Sequence, residues 1–355
     1  MDTKFDVKIF LPENILTSSN TVHSCNYEIH EKFISANFTT KVTNQFPGIH
    51  GKRKHMQNLP RFLPLAETFR VIGVLQAEMS KGKNNGKIQF CNSEPEIIRC
   101  VLHWFKNFDI EEKDWSWRLT FNKKLKLRET PEETAQREFS ARDFWIREAN
   151  LSLNSLAKTW ARYAGTEEGK MKEDTPRWGT VIIEGGNAFL RALVVGLVNE
   201  VCKNLDGFSN NNISLYLDGF FSGEASFHRG KREILVPIKY DDERERVKKV
   251  MRRLNFVLDK DVPSRQIMSL RTGGMRDLFI AYRLNLFKMN PAKRIKLLEN
   301  LLDIQRFPQD AKMFKNEIKF LQPQMKSEYE KALEILNHKR KTFSEVSKIG
   351  FKKYS

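Results

Sequence analysis

The apolar and polar positions follow nearly the same order in two parts of the chain. Each part starts with an apolar helix that ends in a glutamate, and continues with a polar turn, a strand and an amphipathic helix. A second apolar strand then leads into a Gly-Gly pair and another helix. The corresponding ranges are 71–78 and 217–224 for the first helix, 87–91 and 232–239 for the strand, 96–105 and 241–254 for the second helix, and 181–184 and 267–271 for the strand before Gly-Gly. The pattern predicts two similar units in one chain.

The repeat predicts an α+β fold of two pseudo-symmetric αββαββα units, each with a four-stranded antiparallel sheet. From the glutamate to the first glycine of the pair there are 107 positions in the first unit and 49 in the second. The difference indicates an insertion of charged, mainly helical sequence at about residues 123–178. We therefore divide the chain into an N-terminal extension (1–60), a first repeat that contains the insertion (61–205), a second repeat (206–305) and a basic helical C-terminal extension (306–355).

Both apolar helices carry small residues four positions apart, directly before the acid. These are Gly73 and Ala77 before Glu78, and Gly219 and Gly223 before Glu224. Residues at i and i+4 share one helix face, so two such helices can cross with their backbones almost touching. If they cross each other, the two carboxylates meet at the negative ends of both helix dipoles. Such a pair is unfavourable alone and favours a hard divalent cation such as Mg²⁺.

These two motifs resemble those of the LAGLIDADG homing endonucleases in their single-chain, two-repeat form. In that family one acid from each motif binds the metal ions, and the matching positions here are Glu78 and Glu224. The resemblance implies Mg²⁺ (or Mn²⁺) as the cofactor. The chain departs from the family pattern directly after each acid, where Met79 and Ala225 stand in place of glycine. The alternative interpretation is that both glutamates are ordinary helix ends above a packing face.

The resemblance also implies a saddle of two sheets in the major groove of DNA, and Mg²⁺-dependent cleavage of both strands of a long asymmetric site. The predicted hairpins carry side chains that can bind phosphate or read base edges. The candidates for DNA contact are Lys83, Asn84, Lys87, Gln89, Arg118 and Thr120 in the first repeat, and His228, Arg229, Lys231, Arg232, Arg265, Gln266, Ser269 and Arg271 in the second. Three residues match catalytic positions just outside the metals, where the family positions water or phosphate: Lys81, Asn92 and Lys239.

The overall charge of the chain indicates a polyanionic partner. The 355 residues carry a net charge of +17, which is typical of proteins that bind nucleic acid. No run of 18 or more apolar residues predicts a membrane span, and the N-terminus lacks the layout of a signal peptide, so we expect an intracellular protein. The four cysteines form no CxxC pair, which argues against a zinc site and against a disulfide framework.

Three hypotheses from different functional classes remain open on sequence grounds. The first is a site-specific double-strand DNA endonuclease that acts as a monomer, because one chain holds both motifs. The second is a maturase that binds intron RNA and assists splicing, since the same family includes such proteins. The third is a DNA-binding regulator that keeps the fold without cleavage. Retention of both Glu78 and Glu224 favours the first two over the third.

Overall fold

The N-terminal extension is built mainly of β-strands. The computed structural model describes residues 4–16, 22–43, 50–80, 86–165, 176–228, 232–259, 261–264, 267–303 and 308–354. The described strands of the extension are β1 (Lys4–Asp6), β2 (Asn14–Leu16), β3 (Val22–Ser24), β4 (Asn26–Ile29), β5 (Phe33–Thr43), β6 (His50–Pro60) and β7 (Phe62–Pro64). Strands β4, β5 and β6 form one antiparallel sheet, and β7 returns to pair with β1 at the entrance to the first motif helix.

The first half of the remaining chain has one sheet with helices around it. Its described elements are α1 (Leu65–Glu78), β8 (Ile88–Asn92), α2 (Pro95–Phe105), β9 (Trp115–Asn122), α3 (Lys123–Arg128), α4 (Pro131–Glu148), β10 (Leu156–Ala164), β11 (Thr180–Gly185) and α5 (Ala188–Lys203). The strand order is β10-β9-β11-β8. Alternate residues of β9 are buried, including Trp115 and Trp117, so one face of this sheet packs inward and the other faces out.

Strand β10 corrects one prediction for the first half. The predicted insertion 123–178 contains helices α3 and α4 and also strand β10. The sheet is not fully antiparallel, because β10 pairs with β9 in parallel. The reason is the crossover: α3 and α4 carry the chain back to the end of the sheet where β9 began, as parallel strand pairs require. The alternating exposure of β10 is weak, since it lies at the sheet edge.

The second half has an antiparallel sheet followed by a helical tail. Its described elements are α6 (Asn210–Gly223), β12 (Ser226–His228), β13 (Glu233–Ile238), α7 (Asp241–Arg253), β14 (Val262–Ser264), β15 (Ile267–Gly273), α8 (Gly274–Arg283), α9 (Pro291–Leu302), α10 (Pro308–Met313) and α11 (Lys315–Tyr354). The strand order is β12-β13-β15-β14, and all these pairs are antiparallel. In the described part of the first half, the position of β12 is taken by a single bridge from Met79 to Phe90.

Helices α1 and α6 cross at their glycines, as the small-residue pattern predicts. A Cβ atom added to Gly73 would lie 2.1 Å from the Tyr216 carbonyl oxygen, and one added to Gly219 would lie 1.9 Å from the Arg70 carbonyl oxygen. Only glycine allows the backbones this close. Asp218 is buried in the same contact, where Arg70 Nε donates to it at 3.1 Å. The two halves therefore share one central helix pair.

The C-terminal helix α11 packs against α9 of the second half and α4 of the insertion. Near its end, Phe343 contacts the rings of Phe144 and Trp178 in the first half. Lys339 is 1% exposed and its ammonium donates to Glu94 at 2.7 Å and to Glu96 at 2.9 Å. The helix therefore joins the two halves. Across the described ranges, no helix combines the length and the apolar character that a membrane crossing demands.

Candidate metal centre

The two predicted metal ligands lie together where α1 and α6 end. Glu78 is the last residue of α1, and Glu224 is the residue that caps α6. A Cβ atom on Gly223 would lie 2.9 Å from Ala77 Cβ and 3.2 Å from Glu78 Oε1, so the Glu78 carboxylate lies against the backbone next to Glu224. The negative ends of both helix dipoles point to this place.

Glu78 is held by the predicted residue Asn92. The side-chain amide Nδ2 of Asn92 donates to Glu78 Oε1 at 2.9 Å. The other amide atom of Asn92 accepts from the Glu94 backbone N–H at 2.8 Å, which fixes the orientation of the amide. Burial raises the pKa of Glu78 to about 7, and the charge of Glu224 adds to the increase, while Lys293 and Asn92 oppose it. Ionising both acids in the protein therefore costs free energy.

A lysine that the sequence analysis missed lies at the same place. Lys293 is in the first turn of α9, and its ammonium donates to three carbonyl oxygens at the end of α6: Phe221 at 3.3 Å, Ser222 at 2.8 Å and Gly223 at 2.5 Å. Burial lowers the pKa of Lys293 to about 8, while Glu78, Glu224 and Glu94 raise it. A positive charge therefore stands beside the acid pair.

The surroundings of the two acids differ. Asn92 follows Glu78 by 14 positions, and the same step from Glu224 leads to Ile238, which is buried and apolar. Lys239, the predicted catalytic residue of the second half, comes next; it is exposed, and its ammonium lies 5.4 Å from the ring centroid of Tyr240. The predicted Lys81 lies outside the described residues.

The donor set at the helix ends suits a hard cation that keeps most of its water. Mg²⁺ is commonly bound through one or two carboxylates, with waters completing its octahedron. Glu78 and Glu224 supply two carboxylates, and both are half-buried. Within the described ranges, no group of three or more His, Cys, Asp or Glu side chains could form a cage without water. The residues present fit a partly hydrated Mg²⁺ or Mn²⁺.

A polar cluster lies on the outward face of the first sheet. Glu184 of β11 accepts from Gln89 Nε2 at 2.6 Å and pairs with an Arg118 guanidinium nitrogen at 2.8 Å. Gln89 and Arg118 are predicted DNA contacts, whereas Glu184 is new. Thr120 lies two residues from Arg118 on the same face, and Lys87 is exposed before β8. The face therefore carries both hydrogen-bond donors and an acceptor.

The second sheet places the predicted contact Arg271 between two carboxylates. Its guanidinium lies 3.2 Å from Asp259 and 3.9 Å from Glu233. Asn92 and Ile238 hold equivalent positions, each 14 residues after its glutamate, and they pair with Val181 and Met268. Glu184 and Arg271 each lie three residues after those partners, so they occupy equivalent positions in the two sheets. Equivalent positions on the two outward faces thus carry opposite charges.

The side chains of two predicted DNA contacts, Ser269 and Arg232, are buried. Ser269 is 2% exposed within β15. Arg232 is 4% exposed and pairs with Asp310 at 2.5 Å, so it fixes α10 to the second sheet. The predicted residues that lie outside the described part of the chain are Lys83, Asn84, Arg229, Lys231, Arg265 and Gln266, and only the backbone of His228 is described, in β12.

Comparison with known proteins finds LAGLIDADG domains among solved structures. No protein-family model and no curated protein sequence matches the chain. The N-terminal LAGLIDADG domain of WhiA is 10% identical, with a TM-score of 0.33, over 62% of this chain and 85% of that domain. A variant of the homing endonuclease I-DmoI, in complex with its target DNA and in the presence of Mn, is 10% identical, with a TM-score of 0.30, over 62% of this chain and 93% of its own. Mesophilic variants of I-DmoI give the same identity and TM-score, over 94% of their own chain. A likeness of this degree concerns neither the activity nor the ligands of this chain.

Proposed function

We propose that this protein is a metal-dependent endonuclease that cuts both strands of a long asymmetric DNA site, as homing endonucleases do. The observation that carries the proposal is the crossing of α1 and α6 at Gly73 and Gly219, which brings Glu78 and Glu224 together at two helix ends. An unfavourable pair of acids has no evident structural benefit, and a bound cation makes it favourable.

The side chains at the helix ends have separable roles in the proposed reaction. Glu78 and Glu224 would hold Mg²⁺ or Mn²⁺, which activates water and neutralises charge on the phosphate and the leaving oxygen. Asn92 orients the Glu78 carboxylate through a single hydrogen bond of 2.9 Å. Lys239, exposed after β13, and Lys81 remain candidates for positioning phosphate.

We further propose that the outward faces of the two sheets bind the duplex as a saddle made from two related repeats. A net charge of +17 supports binding to phosphate. The described candidates for contact are Lys87, Gln89, Arg118, Thr120 and Arg271. Because both halves share the α1–α6 contact, one chain supplies both acids, and a monomer suffices.

A cleavage assay tests the proposed activity. The full chain is incubated with a randomised duplex library in Mg²⁺ and, separately, in Ca²⁺, and cut ends are sequenced. We expect discrete double-strand cuts in Mg²⁺. Glu78→Gln and Glu224→Gln should each abolish cutting and retain DNA binding, whereas Glu334→Gln, at an exposed position of α11, should cut normally. Cutting that survives both site variants would refute the assignment of the acid pair.

One observation favours a second function, a DNA-binding regulator without cleavage. Lys293 places a positive charge of the protein itself at the end of α6. Tight sequence-specific binding to duplex DNA with no cutting in Mg²⁺ or Mn²⁺ would establish this alternative. Preferential binding to a structured intron RNA would instead point to a maturase.

A further inference from the structure

Strand β10 gives the first sheet a strand that the described second sheet lacks. Strands β9 and β14 correspond, because each pairs with the strand that leads into Gly-Gly, β11 in the first half and β15 in the second. Strand β14 lies at the edge of its sheet as described, whereas β9 carries β10 on its outer side. The first sheet is therefore wider by one inter-strand spacing, about 4.8 Å, on the side away from β8, whose Asn92 binds Glu78.

Strand β10 continues the outward face of the sheet through Arg162. Arg162 pairs in register with Thr120, which pairs with Thr180, so the three residues form a row across β10, β9 and β11. The next residue, Tyr163, belongs to the opposite face, where its ring lies 5.8 Å from that of Phe121. Arg162 is exposed and extends the outward face beyond β9.

The guanidinium of Arg162 differs from those of the two arginines already placed on the outward faces. Arg118 pairs with Glu184 at 2.8 Å, and Arg271 lies 3.2 Å from Asp259. Within the described ranges, Arg162 forms no ion pair and no hydrogen bond through its side chain. Its charge is therefore available to a phosphate group.

Helix α3 adds further basic side chains beside the end of β10. The helix follows β9 directly and packs against β10. The ammonium of Lys126 lies 5.3 Å from the ring centroid of Tyr163. We use the term basic rim for the exposed basic residues of α3 together with the exposed arginine of β10: Lys123, Lys126, Arg128 and Arg162.

The acids near the basic rim are engaged elsewhere. Glu129 pairs with the buried Arg137 at 2.9 Å. The hydroxyl of Tyr163 donates to Glu138. The two glutamates of the first turn of α4 (132–133) adjoin the positive end of that helix. The four charges of the basic rim are therefore not paired with these carboxylates.

We propose that the basic rim binds phosphates of duplex DNA and so lengthens the protein–DNA contact on the side of the first half only. Duplex DNA fits better than double-stranded RNA, because the major groove of B-DNA admits β-strands and that of an A-form helix is too narrow. The inference rests on the proposed function only in taking the outward faces of the sheets as the DNA-binding surface.

The salt dependence of binding tests the inference. Affinity of the full-length protein for random-sequence duplex DNA is measured by fluorescence anisotropy at several salt concentrations. Each lost phosphate contact lowers the slope of log affinity against log salt by about 0.9. We expect a fall of about 2–4 when all four residues of the rim are replaced by glutamine, and of about 0.9 for Arg162→Gln alone.

A matched variant controls for the change in net charge. It replaces four exposed lysines of α11 by glutamine, and it should leave the slope nearly unchanged because α11 packs against helices α4 and α9. The four lysines are Lys315, Lys319, Lys326 and Lys331.

The outcomes separate this inference from the proposed function. An unchanged slope in both rim variants, or a fall in the quadruple variant no larger than in the α11 control, would overturn the inference. A fall seen only with double-stranded RNA of the same length would overturn the assignment to DNA. A fall on duplex DNA without any cleavage would support the rim and overturn the endonuclease, whereas cleavage with an unchanged slope would do the reverse. No binding to duplex DNA at all would overturn both.

Discussion

Replacing Glu78 by glutamine should stabilise the metal-free protein at pH 8. In the folded protein, burial and Glu224 raise the pKa of Glu78 from its ordinary 4.5 to about 7. Each pKa unit corresponds to about 1.4 kcal/mol, so ionising Glu78 at pH 8 costs the folded state up to about 3 kcal/mol. Glutamine keeps the shape of the side chain and carries no charge. We expect a gain of about 1–3 kcal/mol, since solvent reaches a half-buried site.

The gain should depend on pH in a defined direction. A folded-state pKa above the unfolded value gives stability that is fully present below pH 4.5 and is lost as the pH rises through about 7. Wild type and Glu78→Gln should therefore be about equally stable at pH 4.5. The advantage of the variant should grow between pH 4.5 and 7 and remain constant above.

Urea unfolding in the presence of a chelator at pH 4.5, 6 and 8 measures this difference. Glu334→Gln, at an exposed position, serves as the control and should follow the wild type at each pH. Adding Mg²⁺ at pH 8 should reverse the order, since a ligand at one hundred times its Kd stabilises the protein that binds it by about 2.7 kcal/mol. If the stability of Glu78→Gln relative to the wild type is lower at pH 8 than at pH 4.5, the attraction of Lys293 exceeds the cost of burying the Glu78 charge, and the reasoning is refuted.

Three further predictions concern the helix crossing, the buried lysine and the outward face of the first sheet. Gly219→Ala should destabilise the fold by about 3 kcal/mol in urea unfolding, because its Cβ would lie 1.9 Å from a carbonyl oxygen of α1. Gly207→Ala should be neutral in the same assay, because no atom lies within 4 Å of its added Cβ. Lys339→Met should cost about 3 kcal/mol in the same assay by leaving the buried Glu94 carboxylate unpaired. Arg340→Met, at the exposed neighbouring position, should leave the stability unchanged. Glu184→Gln should tighten binding to random duplex DNA about threefold in fluorescence anisotropy by removing a negative charge from the proposed DNA face; weaker binding would contradict that placement of the face.

The helix crossing and the acid pair were predictable because they depend on local pattern. The spacing of Gly73 and Gly219 before the acids determines which helix face can approach another backbone, and the position of each acid follows from the helix length. The alternation of apolar and polar residues at 115–121 is likewise typical of a strand, and β9 lies there.

The contacts to the acid pair made from distant parts of the chain were not predictable. Lys293 lies 69 positions after Glu224, at the start of an amphipathic helix, where a lysine is normally assigned to the solvated face. The pairing of Lys339 with Glu94 spans 245 positions, and nothing in either segment distinguishes a buried charge from an exposed one. Strand β10 was missed because an edge strand needs little hydrophobic alternation. Arg232 was assigned to DNA for the opposite reason, since a basic residue beside a turn gives no sign of its acidic partner on α10.

The docking of α11 makes the order of synthesis relevant to the site. A chain grows from its N-terminus at about 5–20 residues per second, so Glu94 is made about 12–50 seconds before Lys339. During that interval Glu94, which lies behind Lys293, has yet to receive its partner. The helix crossing can form once residue 224 has been synthesised, whereas the ion pair of Glu94 with Lys339 can form only after the last helix has been made. The two acids can therefore come together before the charges around them are complete.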